Sequence, residues 1–320
     1  MKKDLNDRNI TDSSGTAAHK KALSASKPGN IARGLILGGS VAVTAVEASA
    51  MVRRAQKLHK LSPLASAALG RTLIATAYMG SRFKSPLHSV TVNIKGDGPL
   101  GTIVTACDGS GRVRGYVQNP EADLPLNARG KLDVAGGVGK GRMSVVRDMG
   151  LKEPFVAQVE LVSGEIAEDF TQYFAVSEQQ PSAVALGVLI TKTGRCSSAG
   201  GVFIHLLPGC GDREIDRAQQ LAQKLTNISG NFLNATADEV LEQLFSGDGL
   251  EILGHSSAQF KCKCSPARIK SLLFTMTEEE LLGIAEREGS VKVHCHFCNK
   301  EYAYGRADIE QLFAGRKAEK

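Results

Sequence analysis

Four of the chain's seven cysteines stand in two tight pairs near the C-terminus, Cys262 and Cys264 in "KCKCSPARIK" and Cys295 and Cys298 in "VHCHFCNKEYAY". No other feature restricts the fold as much. A module of fewer than about sixty residues buries too little surface to stand on its apolar core alone, and these pairs sit in such a segment, at about 259–314. It needs a staple, and two chelating thiol pairs supply one. Four thiolates fill the tetrahedral shell of a zinc ion, with Zn to S distances of ~2.3 Å. The spacing therefore predicts one structural zinc held by Cys262, Cys264, Cys295 and Cys298, with no open position for Lewis-acid catalysis. His294 and His296 flank Cys295 and read as neighbours of the site or exposed residues, not as ligands. Phe297, Tyr302 and Tyr304 can wall off one side.

Such a site has a bland use, as a static knuckle, and a sharper one. If oxidation turns the thiolates into disulfides, the metal leaves, and with it ~10–16 kcal/mol of apparent folding free energy. Zinc is then the latch of a redox switch. A bridge between Cys262 and Cys264 closes a small, strained ring, while Cys295 and Cys298 have a familiar reversible dithiol spacing. Four cysteines allow three connectivities, and spacing alone does not choose among them. "LILGGSVAVTAVEASA" (35–50) superficially resembles a signal peptide, but it starts late, contains Gly38, Gly39 and Glu47, and reads as a hairpin entering a helix. A reducing compartment is the expectation, and paired cysteines there bind metal or do redox chemistry more often than they act as permanent bridges.

The rest of the chain divides by pattern. Residues 1–30 are polar, without apolar periodicity, and read as a mobile tail. From 31 to about 210 the pattern is globular. "EASAMVRRAQKLHK" and "SPLASAALGRTLIATAYMG" read as helices, the second capped by Ser62 with Pro63 at its first position. "SVTVNI", "GTIVTAC" and "RVRGYVQ" alternate apolar and polar residues as an antiparallel meander. "RMSVVRDM" and "FVAQVELV" add strands, "GEIAEDFTQYFAVSEQQPS" a helix ending before Pro181, and "AVALGVLI" and "GGVFIHLLPG" further strands. Residues 211–258 carry one helical stripe, Ile215, Ala218, Leu221, Ala222 and Leu225, and a Thr236/Glu239 capping box before Val240, Leu241, Leu244 and Phe245. These helices cannot bury their faces alone, so they lie on the large domain as a linker able to leave it. The fold class expected is α+β: an antiparallel-sheet domain with packed helices, a helical linker, and the four-cysteine zinc module at 259–320.

With these residues on the page, the chain closely resembles the 33 kDa chaperonin family of redox-regulated heat-shock holdases. The resemblance spans roughly residues 31–313 and rests on "FKCKCS" and "VHCHFCNKEYAY" at the expected separation. It rests equally on "SPLASAALGRTL", "IKGDGPLGTIV", "GEIAEDFTQYFAVSEQQPS" and "AGGVFIHLLPG" in the expected order. It implies a reduced, zinc-bound, inactive form. It further implies that oxidants, helped by heat, form Cys262–Cys264 and Cys295–Cys298 disulfides and release zinc. The module and linker then unfold and expose apolar surface that holds unfolding client proteins without ATP, and the oxidised form dimerises. The expected location is the cytoplasm, and no enzymatic activity is implied.

Other signals are weaker. Net charge is +6, but residues 1–34 supply +4 of it, so the folded body is near neutral and carries no footprint for nucleic acid. A zinc-ribbon nucleic-acid binder is the alternative function. Residues 259–320 hold eleven Lys/Arg against nine Asp/Glu, and the "TEEE" run repels phosphate. A thiol oxidoreductase needs a thioredoxin-like strand-to-helix setting for its CxxC, and a β-knuckle is read here instead. No apolar run approaches the ~20 residues that span a bilayer. "GGVGKG" (136–141) fails as a phosphate loop, with Val134 at the required Gly and Gly141 at the required Ser/Thr, and reads as a connector. Glu165, Glu168 and Asp169 read as the solvated face and N-terminal charge of a helix, not as catalytic carboxylates. Cys107, Cys196 and Cys210 read as small packed or surface residues.

Overall fold

The computed structural model describes residues 29–318. The tail expected at residues 1–30 lies outside them, apart from its last two residues. Strand β1 (Gly29–Ile36) and β2 (Val41–Glu47) pair antiparallel through a tight turn at Leu37–Gly39, in which Leu37 and Gly38 both take positive φ. Helix α1 (Ser49–His59) follows and ends at a left-handed Lys60. Helix α2 (Pro63–Ser81) starts where Ser62 Oγ accepts the amide of Ala65 at 3.0 Å. From Leu64 to Gly80 every residue of α2 except Arg71 is buried, and the run is rich in Ala and Gly, because the helix packs tightly against strands on both halves of the sheet. A Cβ at Gly80 would lie 2.3 Å from Cys107 Sγ, so this helix and strand approach at van der Waals contact only because the residue is glycine.

The meander β3 (Ser89–Gly96), β4 (Thr102–Asp108) and β5 (Arg112–Val117) forms as the alternation predicts, extended by β6 (Gly141–Asp148) and β7 (Phe155–Glu160). The connector at 136–141 is anchored. Helix α3 (Val134–Val138) is capped by Asp133, and its Gly137 and Val138 carbonyls accept the amides of Leu100 and Gly98. Helix α4 (Ala167–Ser177) then leads to β8 (Ser182–Ile190) and β9 (Cys196–Leu206). The expectation for Asp169 is corrected here. It has no exposed surface, and its carboxylate accepts four backbone N–H groups, from Val162, Ser163, Gly164 and Ile166, at 2.8 to 3.3 Å. Glu165 instead meets Arg71 at 2.5 Å.

Three helices follow: α5 (Asp212–Gln223), α6 (Ile228–Asn231) and α7 (Ala237–Phe245), the last closed by the reciprocal Thr236/Glu239 capping box. Residues 251–258, expected within a helical linker, belong instead to strand β10 (Glu251–Phe260). β10 pairs with β1 along its length and then runs parallel to β5 at Gln259 and Phe260. Its half-buried positions include Gly254 and Ser256 while Leu253 faces solvent, so the period-two apolar signal is erased.

The ten strands make one sheet, ordered β7-β6-β3-β4-β5-β10-β1-β2-β9-β8, antiparallel except at the β5/β10 seam. This is an α+β fold with a large antiparallel-rich sheet. One face carries α1, α2 and α4 over a core that includes Ile31, Val46, Phe170, Phe174 and Phe203. On the other face, Ala32, Val41, Val43, Ala45, Val202 and Ile204 are covered by Leu221, Ile228, Phe232, Val240, Leu241 and Phe245 of the helical segment. Strands buried on both faces read as the near-continuous apolar run "VAVTAV". The Phe232 ring lies flat on Gly200, where a Cβ would come within 2.2 Å of it.

Candidate metal centre

β10 delivers the first cysteine pair. The amide of Lys261 donates to Val113 O at 2.8 Å, which fixes the chain on β5 one residue before Cys262. The pair ends at helix α8 (Pro266–Leu273), where Ser265 Oγ accepts the Arg268 amide at 3.2 Å. Helix α9 (Glu278–Glu288) has its own capping box, Thr277 with Glu280, and stops at Gly289 with φ 79°. The second pair sits on a hairpin, β11 (Val291–Cys295) and β12 (Lys300–Tyr304). Its turn is closed by the amides of Cys298 and Asn299, both donating to Cys295 O, with Asn299 in the left-handed region at φ 52°. Helix α10 (Arg306–Ala318) completes the module. Its core is small: Ile269, Leu273, Leu281, Ala285, Val291, Tyr304, Ile309 and Phe313.

These elements bring Cys262, Cys264, Cys295 and Cys298 together with all four Sγ atoms within 4.8 Å of one another. Cys262 and Cys295 are 3.8 Å apart and Cys264 and Cys298 3.1 Å. A tetrahedron with ~2.3 Å metal–sulfur bonds has edges of about 3.8 Å, so the cluster can hold a metal ion with little adjustment. All four are free thiols, half-buried, and a closed set of soft ligands is the donor chemistry that zinc takes.

The electrostatics favour charge on one sulfur. Burial pushes the Cys264 thiol up, but hydrogen bonds outweigh it: Tyr302 hydroxyl donates at 3.3 Å, and Cys298, Cys262 and Cys295 add to it, drawing Cys264 down to about 7. Cys298 is pushed the other way, by burial and by its contact with Cys264. Cys262 is raised by burial, although it accepts the Cys264 amide at 3.4 Å.

Among the aromatic residues expected to wall the site, Tyr302 alone hydrogen-bonds a sulfur. Tyr304 belongs to the module's core, and Phe297 turns away toward the large domain, 5.3 Å from the Tyr116 ring. His294 and His296 are exposed and stacked edge-on at 5.2 Å, outside the sulfur cluster. Cys107 and Cys196 are buried, and burial pushes both thiols up to about 12. Cys210 donates to Ser40 O at 2.8 Å. The alternation of polar and aromatic residues in β12 could have pointed to Tyr302. Nothing local in the sequence marks the large-domain residues that meet the module.

Fold and site together define a class: an α+β protein whose ten-stranded sheet carries a small four-cysteine, metal-competent module at its C-terminal end. A family model described as Hsp33 protein matches residues 29–305, and the chain belongs to that family. It is 43% identical over 283 residues to a 33 kDa chaperonin of Acetivibrio thermocellus, covering 88% of this chain and 96% of that one. A 33 kDa chaperonin of Ruminiclostridium cellulolyticum is 42% identical over 275 residues, covering 86% of this chain and 94% of that one. The crystal structure of a 33 kDa chaperonin, a heat shock protein 33 homologue from Thermotoga maritima, superposes with a TM-score of 0.81 at 36% identity. It covers 91% of this chain and all of that one. No described helix is long and apolar enough to cross a membrane.

Proposed function

We propose that this chain is an ATP-independent chaperone that holds unfolding proteins and is switched by the redox state of Cys262, Cys264, Cys295 and Cys298. The observation that carries the reading is the convergence of four free thiols into one ligand-sized cluster, on a module whose own core has eight buried side chains among the described residues. Zinc, when bound, charges the four sulfurs as thiolates and ties the two halves of the module together, worth ~10–16 kcal/mol in small zinc modules. Cys264 is the sulfur best prepared to attack an oxidant, since Tyr302 already donates to it. Each pair of thiolates gives two electrons to hydrogen peroxide, whose O–O bond breaks and which takes two protons from solvent and leaves as two waters, while a sulfur–sulfur bond forms. The pairing that the family resemblance implies is Cys262 with Cys264 and Cys295 with Cys298. Sulfurs bound to each other no longer serve as thiolate ligands, the ion is lost, and the module loses its staple.

The helical segment follows. α5 to α7 are short, and the apolar face they cover, including Val41, Val43, Val202 and Ile204, is the kind of surface that captures exposed client segments. The chain acts without catalysis and dimerises when oxidised, in the cytoplasm, with no nucleic acid as partner. The test is light scattering from a heat-unfolding client enzyme without ATP, with the protein either reduced and zinc-loaded or treated with peroxide at elevated temperature. Suppression by the oxidised form alone is expected. Failure of both forms, with zinc still bound after peroxide, would return the module to a static knuckle and favour nucleic-acid binding.

A further inference from the structure

The residues between the ligands point away from the sulfur cluster and onto the large domain. Lys263, the only residue between Cys262 and Cys264, forms an ion pair with Asp108 at the end of β4. Asp108 is 1% exposed, and its carboxylate also accepts Arg112 Nε at 2.9 Å and the amides of Ser110 and Arg112. His296 and Phe297, the two residues between Cys295 and Cys298, rest on Tyr116 of β5 at 5.5 and 5.3 Å. The Arg114 guanidinium stands 5.0 Å over the Phe297 ring. Asn299, directly after the last cysteine, donates to Leu58 O at 3.0 Å, near the end of α1.

Chelation gives this arrangement its meaning. When both cysteines of a pair bind one ion, the one- or two-residue spacer between them has little conformational freedom left. Lys263 and Phe297 are then held in place together, the one on Asp108 and the other on Tyr116. At the start of β5, the strand that carries Tyr116, lies the seam, where Gln259 and Phe260 of β10 pair with Arg112 and Val113 and the amides of Gln259 and Lys261 donate to Gly111 O and Val113 O. β5 thus receives the spacer between Cys295 and Cys298 and secures the chain that leads to Cys262, while Asp108, at the end of neighbouring β4, receives Lys263.

We propose that Asp108, Arg114 and Tyr116 form a docking surface for the two chelate spacers, which ties the state of the cysteines to the β5/β10 seam. Opening of the seam is then the first step by which the switch reaches the sheet. The proposal rests on the metal-latched reading above and adds to it the large-domain residues that sense the latch. Loss of chelation frees the spacers, the contacts with Asp108 and Tyr116 lapse, and the end of β10 loosens while the module's helices are still folded.

The experiment is amide hydrogen exchange on the full-length reduced, zinc-loaded chain, as wild type, Tyr116→Ala and Lys263→Gln, with zinc and free thiols counted in the same samples. The docking surface predicts unchanged zinc but exchange at the Gln259 and Lys261 amides faster by about tenfold, the scale of one aromatic pair or partly buried ion pair, with Val92 and Val145 unaffected. Wild-type rates at Gln259 and Lys261 in both variants, with zinc retained, would overturn it. If wild type binds no zinc, the metal-latched reading fails first, and the zinc count reports that separately. Tyr116 lies on the large domain, outside both chelate loops, so it decides the matter if Lys263→Gln disturbs the metal. Lys263→Gln decides it if Tyr116→Ala loosens every amide.

Discussion

A carboxylate with no exposed surface holds the turn into α4. Asp169 accepts the amides of four residues on one bend, including Ile166, which takes a φ of 68°. Those N–H groups have no water to turn to, so Asp169→Ala should cost about 2–4 kcal/mol, measured as a fall in the urea midpoint at constant slope. Asp169→Asn should cost less, since it keeps one acceptor oxygen. At this scale the sequence was a fair guide to which sulfurs converge and a poor one to burial. The cysteines announced themselves by spacing, because a chelate is a local object. Tyr302, Lys263 and Asp108 owe their roles to partners brought from elsewhere in the fold, and Asp169, whose partners lie on the bend just before it, is hidden because an acidic residue in a helix's first turn looks the same whether water or a bend of amides surrounds it.

Elements were most legible where local chemistry closes on itself. The Thr236/Glu239 and Thr277/Glu280 boxes form as expected, each with both reciprocal hydrogen bonds. β10 was hidden because a strand flanked on both sides by other strands can be built from Gly, Ser and Ala, and its pairing with β1 is written nowhere near it. The capping box of α7 gives a test at this scale. Thr236→Ala removes an acceptor for the Glu239 amide and should cost about 1 kcal/mol. Because α7 is a short helix resting on β1 and β2, the loss should appear as faster exchange along 237–245, with amides of α2 unchanged.

For the molecule as a whole, one contribution to acid stability comes from a buried imidazole shared by three elements. His205 of β9 lies between Tyr78 of α2 and Ser182 of β8, with both ring nitrogens 2.5 Å from a hydroxyl. Burial depresses it to about 3, and Arg82 pushes in the same direction. The folded protein therefore keeps it neutral while the unfolded chain takes up a proton below about 6.5. Stability should be intact above that value and fall by about 1.4 kcal/mol per pH unit from there toward 3. Denaturant titrations across this window should show a shallower slope in His205→Gln than in wild type, and equal slopes would exclude this origin.

The β5/β10 seam also has a bearing on how the chain is made. One half of the sheet, β3 to β7, comes from a single stretch of chain, and the other joins β1 and β2 to the later β8 and β9. The strand that links the halves follows both, and Ile31, already paired with Val46, must wait for Ser256 to close its other edge. During synthesis the growing chain therefore carries two incomplete sheets, with β1 and β5 both presenting open edges that invite pairing with other chains. A protein of a chaperone-named family is thus, until its last quarter emerges from the ribosome, itself a candidate for protection.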